Sequence, residues 1–198
     1  MTLILASQSA ARQAMMRAAN MDFLPVPAAI DEEALTEGLQ AEGAKPRDIA
    51  DALAEAKARK VALRYHNDMV LGSDQILALD NGELLSKAQN QQEAKYILQR
   101  LSGQRHHLIS AAVIYEKGEP VWREIEQVKM LMRPLSNEFI DDYIAQYWDD
   151  IRHCAGCYRI EGEGVQLFNR IEGSHFAIMG MPLLPLLGYL RIRGVMPS

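Results

Sequence analysis

The first residues able to do chemistry lie close to the N-terminus. Ser7-Gln8-Ser9 follows the apolar run Leu3-Ile4-Leu5-Ala6 and precedes an Ala- and Met-rich stretch that carries Arg12. A loop at a helix N-terminus offers open backbone N–H groups and the positive end of the helix dipole. Two hydroxyls and an arginine in the first turn add to these, so the segment can hold an anion. It is not a P-loop, because the glycines and the Gly-Lys-Ser/Thr end are missing. A plain serine cap beside a surface arginine gives the same pattern.

Asp74 ends the run Val70-Leu71-Gly72-Ser73. This order predicts a carboxylate at a strand end, where α/β sheets hold ligands. Such a group can ligate a metal or take a proton from water, or it can simply turn the chain. Lys57 falls on the apolar face of a helical stretch, between Leu53 and Val61. A lysine there either snorkels to water or meets something anionic. Lys87 follows a hairpin signal, and Asp31-Glu32-Glu33 is an acidic cluster with one candidate cation ligand.

Cys154-Ala155-Gly156-Cys157 is a single CxxC. A zinc site needs a second ligand pair, and a redox dithiol needs a thioredoxin-like layout. Neither is present, so the pattern predicts two buried cysteines at a helix–loop junction. The following stretch, to Glu161-Gly162-Glu163-Gly164, is a glycine-punctuated loop that allows close backbone approach.

These side chains need elements to position them. Thr2–Ala6 and Phe23–Val26 read as short strands, with a helix over Ala10–Ala19 capped by Ser9. Pro46 opens a helix to about Tyr65, and Met69–Ser73 reads as a strand ending at Asp74. Ile76–Leu79 and Leu84–Ser86 flank the turn Asp80-Asn81-Gly82. Asn90 and Glu93 form a capping box before a helix stopped by Ser102-Gly103. Two strands surround Lys117-Gly118, and Ser136 caps a helix with Phe139, Ile140, Tyr143, Ile144 and Tyr147 on one side. Val165–Ile171 and Phe176–Met179 read as a hairpin, and Pro182–Leu190 as a final helix. Interleaved helices and strands predict an α/β class with a mixed sheet.

The chain has 198 residues, 48% of them hydrophobic and 24% charged, with net charge −5. That suits one domain and excludes a disordered chain. The acidic balance argues against a nucleic-acid-binding face. The first apolar run is too short for a signal segment, no stretch approaches a membrane span, and two cysteines cannot form a disulfide framework. A soluble cytoplasmic protein is expected.

Taken in order, these segments resemble the Maf family of nucleotide pyrophosphatases. The matching pieces are Leu5-Ala6-Ser7-Gln8-Ser9 with Arg12, Ile30-Asp31-Glu32, Lys57, Gly72-Ser73-Asp74-Gln75 and Ser86-Lys87. They continue with Ala155-Gly156 through Glu161-Gly162-Glu163-Gly164 and Ile171-Glu172-Gly173-Ser174 to Gly180-Met181-Pro182-Leu183. The family usually has Ser-Pro-Arg-Arg where this chain has Ser9-Ala10-Ala11-Arg12, and Lys-Pro where it has Lys87-Ala88.

The resemblance implies one Maf/ITPase-like domain over residues 1–198. Its two lobes would share a mixed central sheet flanked by helices, with a cleft between them, commonly as a homodimer. It implies hydrolysis of a nucleoside triphosphate to monophosphate and pyrophosphate with a divalent cation, Mg²⁺ or Mn²⁺. Guarding against non-standard nucleotides and a link to cell-division arrest come with it. In that reading Asp74, Lys57 and Lys87 are catalytic, and Glu32 and Asp74 hold the metal. Ser7, Ala11, Arg12, Gln75 and Glu161 contact substrate. Ala11, Gln75 and Glu161 occupy the positions that sort substrates. Gln75 and Glu161 resemble the branch acting on 7-methyl-GTP, whereas alanine cannot supply that branch's usual stacking aromatic. The dTTP- and UTP-acting branch usually has Thr and Gln at the other two positions. The base is left open with a purine lean. A non-catalytic nucleotide-binding regulator of septation is the alternative of another class.

Overall fold

The computed structural model describes residues 2–197. Among these described residues, seven strands and seven α-helices are interleaved. The strands are β1 (Leu3–Leu5), β2 (Leu24–Pro25), β3 (Met69–Leu79), β4 (Leu84–Leu85), β5 (Arg105–Glu116), β6 (Glu119–Met132) and β7 (Phe168–Glu172). The helices are α1 (Ala10–Ala18), α2 (Glu32–Ala41), α3 (Pro46–Ala62), α4 (Gln91–Leu101), α5 (Asn137–Ile151), α6 (His175–Ile178) and α7 (Leu183–Ile192). One mixed sheet runs in the order β2-β1-β3-β5-β6-β7, with β4 paired to β3. β1 pairs in parallel with β2 and β3, while β3–β4 and β6–β7 are antiparallel. Among the described residues no helix is long and apolar enough to cross a membrane.

The chain divides into two compact units; three of the four divisions fall inside β3, β5 and β6, and the fourth between β7 and α6. Unit 1 holds residues 1–75, 109–126 and 174–198. Its core joins Leu3 and Leu5 of β1, Met69 and Leu71 of β3, Met15 and Met16 of α1, and four leucines of α7. Each fully buried leucine contributes roughly 1.5–3 kcal/mol. α3 buries Ile49, Ala50, Leu53, Ala54, Ala58 and Val61 against the opposite side of β3. At Gly72 a Cβ would lie 2.2 Å from the Ala54 carbonyl oxygen, so only glycine lets α3 come this close.

Unit 2 holds residues 76–108 and 127–173. Asn90 Oδ1 accepts from the Glu93 N–H at 2.9 Å and starts α4, which buries Ala94, Ile97, Leu98 and Leu101. Ser136 Oγ accepts from the Phe139 N–H and starts α5. Back in unit 1, Lys117 and Gly118, the two-residue link between β5 and β6, both have positive φ, as a type I′ turn requires.

Three expectations need correction. The strand does not end at Asp74, because β3 continues through Gln75 to Leu79. Asp31-Glu32-Glu33 is the start of α2, with Asp31 Oδ1 accepting from the Ala34 N–H. Phe176–Met179 is not a strand. Ser174 caps the single-turn helix α6 there, and β7 pairs with β6 instead.

Candidate active site

In unit 1 the loop after β1 folds on its own hydroxyls. Ser9 Oγ accepts from the Arg12 N–H at 3.4 Å and caps α1. Ser7 Oγ accepts from the Ser9 N–H at 3.2 Å and from Arg12 Nη1 at 3.3 Å. Arg12 is therefore not a surface residue. It is buried, and its Nε donates to the Gly180 carbonyl at 2.8 Å. Burial lowers its pKa, opposed by the negative charges of Asp74 and Glu32. Ser73 Oγ donates to the same Gly180 carbonyl at 3.1 Å. Ala11, on the first turn of α1, is half-buried.

Lys57 projects from the buried face of α3, and its ammonium meets two carboxylates. Nζ lies 2.5 Å from Asp74 Oδ1 and 2.8 Å from Glu32 Oε1. Lys57 and Asp74 are enclosed, whereas Glu32, at the first position of α2, is half exposed. Two carboxylates against one ammonium leave a net negative charge beside the Arg12 guanidinium. Asp74 holds this place from inside a strand, fixed by the close approach of α3 over Gly72. The tertiary fold thus supplies the position that the sequence reading attributed to a strand end.

Gln75 points the other way, as alternation along β3 requires. Its Nε2 donates to the carbonyls of Ala177 and Ile178 at 2.8 and 2.9 Å and to Ser110 Oγ at 3.1 Å. The Gln75 amide hydrogens are committed to α6. Sequence reading passed over Ser73 and Gly180 as participants. The one signal for Gly180 was the segment Gly180-Met181-Pro182, whose glycine has φ +107.

Lys87 and Glu161 belong to unit 2, where both are exposed. They act on a common neighbour, since Glu161 raises and Lys87 lowers the pKa of the Cys154 thiol. Burial dominates at both cysteines, pushing Cys154 to about 11 and Cys157 to about 12. Cys157 is buried, as expected for this turn, while Cys154 is half-buried, and both are free thiols. Gly164 is a packing glycine, because a Cβ there would lie 2.4 Å from the Arg159 carbonyl oxygen.

The structure thus gathers Ser7, Arg12, Glu32, Lys57 and Asp74 in unit 1. It sets Lys87 and Glu161 near Cys154 in unit 2. Among the described residues no cluster of three or more His, Cys, Asp or Glu side chains forms a metal cage. A model of the Maf-like protein family matches residues 2–192. The chain belongs to the Maf-like family. It is 55% identical over 198 residues to a nucleoside triphosphate pyrophosphatase of Sphingopyxis alaskensis, covering both chains completely. A protein of the same description from Ruegeria pomeroyi is 51% identical over 99% of this chain and 98% of its own. A 7-methyl-GTP pyrophosphatase of Rhizobium meliloti is 45% identical, again over 99% of this Maf-like chain and 98% of its own.

Proposed function

We propose that this Maf-like chain hydrolyses a nucleoside triphosphate to the nucleoside monophosphate and pyrophosphate. The observation that carries the reading is the Lys57 ammonium held between Asp74 and Glu32 beside the buried Arg12. A triphosphate concentrates negative charge, which this acidic chain meets with local cations. Arg12, Ser7 and the open N–H groups of α1 bind phosphate oxygens. Asp74 orients a water and accepts its proton, with Lys57 fixing the carboxylate. The water oxygen bonds to the α-phosphorus, the bond from that phosphorus to the α–β bridging oxygen breaks, and pyrophosphate leaves. The chemistry is mostly positioning and charge stabilisation.

The donor set fits a hard divalent cation. Magnesium is commonly held by one or two carboxylates, with waters and substrate phosphates completing its shell. Glu32 and Asp74 would be those carboxylates, Glu32 being half exposed. When bound, the ion neutralises phosphate charge. Lys87 and Glu161 enter the reading through the family resemblance, as a phosphate contact and a base contact. The same reading takes the protein as a cytoplasmic homodimer that binds neither nucleic acid nor membrane. Net charge −5 supports the absence of nucleic acid. The 7-methyl-GTP pyrophosphatase among the relatives supports a guanine-type substrate as the narrower alternative.

The test is a panel of GTP, 7-methyl-GTP, dTTP and UTP assayed for pyrophosphate release with Mg²⁺ or Mn²⁺. Metal-dependent release of equimolar pyrophosphate and monophosphate supports the reading. Tight binding without release would favour a regulator.

A further inference from the structure

Gln75 of β3, Ser110 of β5 and two carbonyls of α6 meet inside unit 1. Ser110 is fully enclosed, and its Oγ donates to the Ala177 carbonyl at 2.7 Å. That bond uses the hydroxyl's single hydrogen, so Oγ faces Gln75 as an acceptor. The Ala177 and Ile178 carbonyls are acceptors too. They lie in the last turn of α6, where carbonyls lack helical partners. Gln75 Nε2 therefore meets three acceptors, the two carbonyls at 2.8 and 2.9 Å and Ser110 Oγ at 3.1 Å.

Only the nitrogen of an amide can face such a set. Turning the amide over would bring Oε1 against three oxygens with no hydrogen between them, and leave those acceptors unpaired. The nitrogen has two hydrogens for three partners, so none remains for a ligand. Oε1 is the polar atom of this side chain that a ligand can meet, and it can only accept. Gln75 is half-buried, unlike Ser110, so part of the residue reaches solvent.

We infer that Gln75 meets the substrate base as a hydrogen-bond acceptor only, and that Ser110 is the positioning residue that holds its amide in that sense. This role rests on the reading of a nucleoside triphosphate as substrate with Gln75 against its base. What it adds is the polarity of that contact and the residue behind it. A glutamine free to turn over would accept from one base and donate to another. A locked one selects a base with an exocyclic amine. The amine projects beyond the ring, whereas a ring N–H beside a carbonyl brings a repelling oxygen with it. Guanine carries the amine, and hypoxanthine is the same ring system without it.

Calorimetric titration of the full chain with the α,β-methylene analogues of GTP and ITP, in Mg²⁺, compares the two bases without turnover. The GTP analogue should bind roughly three- to tenfold tighter, the effect of one hydrogen bond to a neutral group. The kcat/KM values for GTP and ITP should show a similar ratio, carried by KM. Ser110→Ala releases the amide and should remove most of the preference, while Ser110→Thr, which restores the hydroxyl, should restore it. A merely structural role would lower stability and the active fraction but leave the ratio between the two nucleotides unchanged. If either Ser110 variant does not fold, Gln75→Met, which keeps the length and removes the acceptor, should abolish the preference. Equal binding of the two analogues by the natural chain, tighter binding of the ITP analogue, or no binding of either would overturn the role. So would an unchanged ratio in Ser110→Ala or Gln75→Met. Pyrophosphate release under any of these results would leave the pyrophosphatase reading standing. The expected ratio in binding, with no release from any triphosphate, would remove that reading and leave the contact to the base.

Discussion

Lys57 reaches Asp74 across 17 positions of sequence, its Nζ 2.5 Å from Oδ1, with both side chains more than nine-tenths enclosed. Half-exposed Glu32 takes the other side of the same ammonium at 2.8 Å. The lysine is therefore a counter-ion that fixes two carboxylates, and its effect on phosphate passes through them.

Asp74→Asn should keep the fold and lose most turnover. Loss of a general base commonly costs about 10²–10⁴-fold in rate. Pyrophosphate release in the variant, with circular dichroism as a control for folding, checks this. A rate within a few-fold of wild type removes Asp74 from the mechanism.

Lys57→Ala should reduce both stability and turnover, because it leaves the Asp74 carboxylate enclosed without its cation. Removing one partner of a buried pair typically costs about 3–5 kcal/mol. Urea unfolding measures the stability loss, and unchanged stability together with unchanged kinetics would contradict the role.

Gly180→Ala should disturb Arg12 specifically. Gly180 has φ +107, and a Cβ there would lie 3.3 Å from Arg12 Nε, the atom its own carbonyl holds. Residues forced into such backbone regions cost about 1–3 kcal/mol. The expected result is a KM for triphosphate raised about tenfold by the weakened phosphate contact, measured at temperatures where the variant remains folded.

Much of this site was legible from sequence as residue types, and less of it as positions. Arg12, Lys57 and Asp74 stood out because a cation in a first turn, a lysine on an apolar face and an acid after an apolar run are each unusual. Their mutual geometry was not legible, since Asp74 is held by Lys57 and Ser73 by Gly180, far away in sequence. β3 appeared to stop at Ser73 because two polar residues interrupt it, although burial resumes at Leu77 and Ala78. α2 escaped notice because none of its ten residues is buried, so there is no apolar stripe to read. α6 has four residues, too few to display a helical period, and only its Ser174 cap distinguished it from a strand.

Acid should destabilise unit 2 through His106. This histidine is fully enclosed, its Nε2 is 2.8 Å from the Tyr158 hydroxyl, and its Nδ1 has no protein partner. Burial lowers its pKa from 6.5 to about 4. The unfolded chain then binds the proton more readily, so the stability contribution is complete above pH 6.5 and declines as pH falls towards 4. The full span corresponds to about 3 kcal/mol at 1.36 kcal/mol per unit. Chemical denaturation between pH 7.5 and pH 4 measures it, and His106→Gln should flatten the dependence.

The cysteine pair should behave as inert thiols. With Cys154 and Cys157 pushed up to about 11 and about 12, alkylation by iodoacetamide should be slow at neutral pH and accelerate up to strongly alkaline pH. Cys154→Ser with Cys157→Ser should retain activity, and the purified protein should hold no stoichiometric zinc. One zinc per chain by elemental analysis would contradict this.

In this mechanism water attacks the α-phosphorus, positioned by the Asp74, Lys57 and Glu32 cluster. Hydrolysis of a triphosphate in ¹⁸O-water, followed by mass analysis of both products, tests it most directly. Attack at the α-phosphorus puts one labelled oxygen in the nucleoside monophosphate, leaves the pyrophosphate unlabelled, and both products are lost with Asp74→Asn. Label in the pyrophosphate, or release of orthophosphate with a nucleoside diphosphate, would contradict it.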